Sequence, residues 1–175
     1  MPARKTSKKK VPASAPPIGV SLHAPSAEGG LLSASQLSKL FQRAWLLVPA
    51  GRRPDLQAQR RVAVDVHAIN DAEITELNER HMRIAEPTDV LSFTMAEIDP
   101  ERRAFNLGEI MVSYDTARRE AAARKLPPEE ELSRYCVHGF LHLLGYEDDT
   151  DARRRAMFKL QEAALKRPRS RKTSR

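Results

Sequence analysis

Apolar residues first fall into register at Leu37, Leu40, Phe41, Ala44 and Val48. Spacings of three and four predict an amphipathic helix, opened by a serine cap at Ser33–Ser35 and broken by GRRPD at 51–55. In RVAVDVHAI (61–69) the period drops to two, so Val62, Val64, Val66 and Ala68 share one side of a predicted strand. Asn70 and Glu73 form a capping box at the head of a helix through Ile74, Leu77 and His81. Two more strands are predicted in TDVLSFTM (88–95) and GEIMVSYD (108–115), with Asp115 placed to cap a helix over TARREAAARK (116–125). Pro127 and Pro128 end that helix and start the next, whose first turn holds Glu129, Glu130 and Glu131, where the helix dipole favours acids. Gly145 should stop it, and Thr150 or Asp151 opens a last helix through Ala156, Met157, Leu160 and Ala164. Helix, strand, helix, two strands and three helices make an α/β (α+β) fold, a small mixed β-sheet flanked by helices.

Residues 1–30 are rich in Pro, Ser, Ala and Gly without hydrophobic periodicity, and read as a disordered basic tail. One domain is expected over residues 31–166, followed by a basic tail at 167–175. With 175 residues the chain has room for one core and little more. No apolar run approaches the ~18–20 residues needed to span a bilayer, and no secretory signal is evident at the N-terminus. Cys136 is the single cysteine, which rules out an internal disulfide and points to a reducing compartment, the cytoplasm.

The net charge of +7 is unevenly placed. The first ten residues carry five Lys/Arg and the last ten carry six, with no acid in either block, so the rest of the chain is mildly acidic. Such blocks serve either as electrostatic arms for nucleic acid or as solubilising tails. A transit peptide fits the N-terminus less well, because the lysine cluster is not an amphipathic arginine pattern.

Within HGFLHLLGYEDD (138–149), His138 and His142 are four apart and share a face of a largely apolar, buried helix. That spacing is the usual way a helix offers two nitrogen ligands to zinc. After the turn at Gly145, any of Glu147, Asp148 and Asp149 can fold back as a third ligand. Two histidines and one acid leave a fourth position open, the catalytic arrangement, in which bound water approaches a pKa of ~7. The bland reading makes both histidines hydrogen-bonded core residues and the acids a helix cap. A glycine stands where H-E-x-x-H proteases need a glutamate base, so peptidase chemistry by that route is excluded. Cys136 lies only two residues before His138 and points elsewhere, so it reads as core and not as a nucleophile.

HGFLHLLGYED resembles the H-G-x-L-H-L-x-G-Y-D-H signature of the YbeY family of zinc-dependent endoribonucleases. PTDVLSF (87–93) and LGEI (107–110) resemble two further segments of that family, and Asn78 stands where it has an asparagine. The resemblance runs in order over roughly residues 60–165. It implies a single-strand endoribonuclease of small-subunit ribosomal RNA maturation and quality control, cytoplasmic, with precursor RNA and the small ribosomal subunit as partners and no membrane. It implies one zinc per chain on His138, His142 and Asp148, or on Asp149 by a one-residue slip. Aspartate stands where the family has its third histidine, which makes manganese or iron more competitive. The family's aromatic–arginine pair falls at His81 and Met82, so the flanking Arg83 is the candidate for the catalytic arginine role and Arg80, with Ser92, for substrate contact, unless the two arginines are solvated helix-end charges. These departures leave an alternative, a non-catalytic ribosome-assembly factor with a structural metal.

Overall fold

The computed structural model describes residues 15–25, 30–56 and 60–166. Four strands, β1 (Ile18–His23), β2 (Val62–Ile69), β3 (Val90–Asp99) and β4 (Ala104–Ser113), form one mixed sheet in the order β1-β2-β4-β3. β1, β2 and β4 run parallel, and β3 is antiparallel to β4. Five helices accompany them: α1 (Ala34–Leu47), α2 (Asp71–Met82), α3 (Tyr114–Arg124), α4 (Pro128–Leu143) and α5 (Asp151–Leu165). The α+β expectation holds, and every predicted helix is present.

Two expectations need correction. The stretch 1–30 was expected to lack structure, yet β1 lies within it and pairs in register with β2, Ile18 against Val62 through His23 against His67. Residues 1–14 and 167–175 lie outside the described residues. His23 is therefore no tail residue: its ring stacks on that of His67, centroids 4.5 Å apart. The second correction is the cap of α3, which is Ser113, its hydroxyl accepting from the Thr116 amide. Asp115 instead accepts from the Asp71 amide at the head of α2.

The core lies between the sheet and α1, α4 and α5. Phe41 of α1 and Phe140 of α4 stack with centroids 4.4 Å apart, both fully buried. α4 crosses β3 and β4 closely because two glycines permit it. A Cβ on Gly139 would meet Ile110 Cγ2 at 2.7 Å and Val90 Cγ2 at 3.1 Å. Gly108 has φ +148°, and a Cβ there would lie 2.2 Å from the Phe93 carbonyl oxygen and 2.9 Å from Leu143 Cδ2. The glycine between the two histidines therefore serves the packing of α4 on the sheet.

Candidate metal centre

Arg134, His138 and His142 form an i, i+4, i+8 stripe of partly covered residues on α4, whose other residues beyond Arg134 are buried. Its neighbour is α5, where Glu162 pairs with Arg134 and Gln161 meets His138. α4 ends in a Schellman motif: Gly145 N–H donates to the His142 carbonyl (2.8 Å) and Tyr146 N–H to the Leu141 carbonyl (3.1 Å). Gly145 adopts φ +78°, a conformation that glycine takes without strain. This reversal carries Tyr146 and the acids back over the last turn of α4.

Both imidazoles are then oriented from behind. His138 Nδ1 lies 3.0 Å from Gln161 Oε1, and His142 Nδ1 lies 2.8 Å from the Tyr146 carbonyl oxygen. Each of these partners is an acceptor, so each neutral ring carries its proton on Nδ1 and presents a bare Nε2 lone pair. The two Nε2 atoms face each other at 3.0 Å. Two acceptors at that distance repel unless a proton or a cation lies between them. Asp148 completes the group, with Oδ2 3.7 Å from His138 Nε2 and Oδ1 3.9 Å from His142 Nε2. Donors about 2.0–2.1 Å from a tetrahedral zinc sit roughly 3.3 Å apart, close to these separations. Burial, and then the neighbouring His138, hold the His142 imidazole below the usual histidine range, in the neutral form that ligates. The donor set fits a divalent cation, and among the described residues it is the one His/Cys/Asp/Glu cluster of ligating geometry.

The other two acids face away. Glu147 and Asp149 both pair with Arg153 Nη1, at 2.5 and 3.0 Å. Ser92, on β3, places its Oγ 3.4 Å from where a Gly139 Cβ would stand, so its hydroxyl lies against the helix that carries the histidines. Arg80 and Arg83 are not drawn into this group. Both are exposed at the end of α2, Arg83 as its left-handed C-cap, and neither guanidinium makes an ion pair with a described residue. The nearest link is His81, whose ring lies 4.7 Å from that of Phe93, the residue after Ser92. Cys136 is fully buried, which pushes its thiol up to about 12 and removes it as a nucleophile.

A sequence model of the family described as endoribonuclease YbeY matches residues 31–169. A protein named endoribonuclease YbeY from Moorella thermoacetica is 41% identical over 109 residues, 58% of this chain and 70% of that protein. Its namesake from Persephonella marina is 36% identical over 110 residues, covering 62% and 72%. For the Synechococcus namesake the figures are 41% over 107 residues, 59% of either chain. The solution structure of TM1509 from Thermotoga maritima superposes with a TM-score of 0.52 at 28% identity, covering 85% of this chain and 86% of that one. The chain belongs to the endoribonuclease YbeY family. Its class is thus that of an RNA-cleaving hydrolase, and no described helix is long and apolar enough to cross a membrane. Gln161 and the Tyr146 carbonyl, which orient the YbeY-type histidines here, escaped the sequence reading. For Gln161 a signal existed: it is a polar residue within the apolar stripe of α5, between Met157 and Ala164.

Proposed function

We propose that the chain is a zinc-dependent, single-strand endoribonuclease that processes small-subunit ribosomal RNA precursors in the cytoplasm, with a further part in ribosome quality control. The observation that carries it is the meeting of two bare Nε2 lone pairs with the Asp148 carboxylate. His138, His142 and Asp148 would hold the ion, which when bound supplies Lewis-acid stabilisation of the charge developing on the phosphodiester. Gln161 and the Tyr146 carbonyl keep both Nδ1 protons in place, so the Nε2 atoms stay aimed at one point. Arg83 would contact the scissile phosphate and Arg80 a neighbouring one, and the Ser92 hydroxyl, which lies beside α4, would bond substrate.

The non-catalytic alternative needs a closed structural site with four protein ligands. Here three ligand side chains remain 27–41% exposed, which supports an open coordination position. The carboxylate removes one positive charge relative to a three-histidine set and favours harder ions, so manganese or iron competes with zinc more than it would there.

The test is cleavage of a single-stranded precursor-rRNA fragment by protein loaded with zinc, manganese or iron. Chelation should abolish turnover while the circular dichroism spectrum is kept. Asp148→Ala should lose the metal and roughly two orders of magnitude in rate. Full cleavage by a metal-free, folded protein would overturn the reading.

A further inference from the structure

Three consecutive acids follow the Gly145 turn, and only the middle one faces the imidazoles. We infer that Arg153 is a positioning residue that makes this choice: it holds Glu147 and Asp149 outward and leaves Asp148 as the third ligand. The inference rests on the metal-site reading above and deepens it.

The geometry is specific to the first turn of α5. Thr150 caps that helix, accepting from the Arg153 amide at 3.3 Å, and this places the Arg153 side chain over the preceding loop. Its Nη1 contacts Glu147 Oε2 at 2.5 Å and both Asp149 oxygens at 3.0 Å. Glu147 and Asp149 are drawn to one guanidinium while Asp148 between them turns the other way, toward the imidazoles. Arg154 adds a backbone anchor, its Nη2 donating to the Asp148 carbonyl at 3.2 Å. A second reason for the arrangement is electrostatic. Three free carboxylates beside two imidazoles would compete for one cation, and pairing two of them with Arg153 leaves a single defined donor.

Both ion pairs are solvent-exposed, so each holds its carboxylate by no more than about fivefold. The expected effects are correspondingly modest, and clearest where the proper ligand is missing. Zinc affinity is measured on the full chain after chelation, by competition with a chromophoric chelator, with circular dichroism as the check on folding. Asp148→Ala alone should bind zinc far more weakly than the wild type. In that background Arg153→Ala should restore affinity by roughly three- to tenfold, as Glu147 or Asp149 swings inward. Arg153→Gln, which keeps the side-chain stem, should restore it likewise. Adding Glu147→Gln and Asp149→Asn should abolish the gain.

Arg155→Ala is the control for charge alone, since it removes an exposed neighbouring cation of α5 that contacts neither acid nor the Asp148 backbone among the described residues. An equal gain from Arg155→Ala, or a gain that survives loss of both acids, would reduce the effect to net charge and overturn the inference. No gain from either Arg153 variant while both remain folded would also overturn it. A wild type that binds no zinc would instead overturn the metal-site reading itself.

Discussion

Gln161 is the residue on which the orientation of His138 depends. It is 95% buried, and no other acceptor is recorded at His138 Nδ1 among the described residues. Without that acceptor the ring is free to flip or to move its proton to Nε2, and either change withdraws a ligand. Gln161→Leu should therefore lower zinc affinity by roughly ten- to a hundredfold. Gln161→Glu retains an acceptor and should stay near the wild type. A metal titration in which Gln161→Leu binds like the wild type would remove this residue from the site. At this scale the sequence carried half of the arrangement. The i, i+4 histidines were legible because helix geometry alone brings them together. Spacing alone left Glu147, Asp148 and Asp149 open, and the choice of Asp148 came only from the family resemblance, because which acid turns inward is set by tertiary contacts such as those of Arg153. Gln161 was hidden for a related reason: its partner lies 23 residues away on another helix.

Among the elements, α2 and α3 are joined head to head through one carboxylate. Asp71 Oδ1 accepts from the Ser113 hydroxyl at 2.5 Å and from Thr116 at 2.9 Å, and Oδ2 accepts from Arg119 at 2.5 Å. Burial works to raise the Asp71 pKa, but the hydrogen bonds from Ser113, Arg119 and Thr116 outweigh it and hold the carboxyl below its usual range. A carboxyl depressed on folding contributes stability that is complete above its unfolded pKa, near 3.8, and is lost as the pH falls through the lower, folded value. Asp71→Asn should thus cost ~1–2 kcal/mol at neutral pH, the exposed Arg119 pair adding little, and should flatten the loss of stability below about pH 4. Urea melts of both proteins from pH 7 to pH 2.5 read this directly; parallel curves would refute it. The same joint explains the misplaced cap. Ser113 and Asp115 are both good cap residues two positions apart, and only the approach of α2 assigns Asp115 to the Asp71 amide. The missed strand has a different cause. Ile18, Val20 and Leu22 do alternate, but six residues amid Pro, Ser and Gly were outweighed by the composition of the stretch around them.

For the whole molecule, strand order and charge distribution together decide what the ends of the chain do. β2 is buried along nearly its whole length and needs a neighbour on each edge; β4 supplies one and β1 the other. Truncation through residue 24 removes β1, bares the β2 edge and should destabilise or aggregate the protein. Truncation of residues 1–14 and 167–175 leaves β1 and α5 whole while removing ten of the 30 Lys/Arg. What remains carries more acid than base, so attraction to RNA would then rest on local groups such as Arg80 and Arg83. If the tails serve as arms, full-length binding to single-stranded RNA weakens steeply with salt. With about −0.7 in log–log slope per phosphate contacted, ten cations contribute at most roughly −7. The truncated protein should show a much shallower slope and a higher KM, with kcat unchanged, because His138, His142 and Asp148 all lie in the retained part. An unchanged slope would assign the ten removed cations to solubility and leave RNA capture to the folded domain.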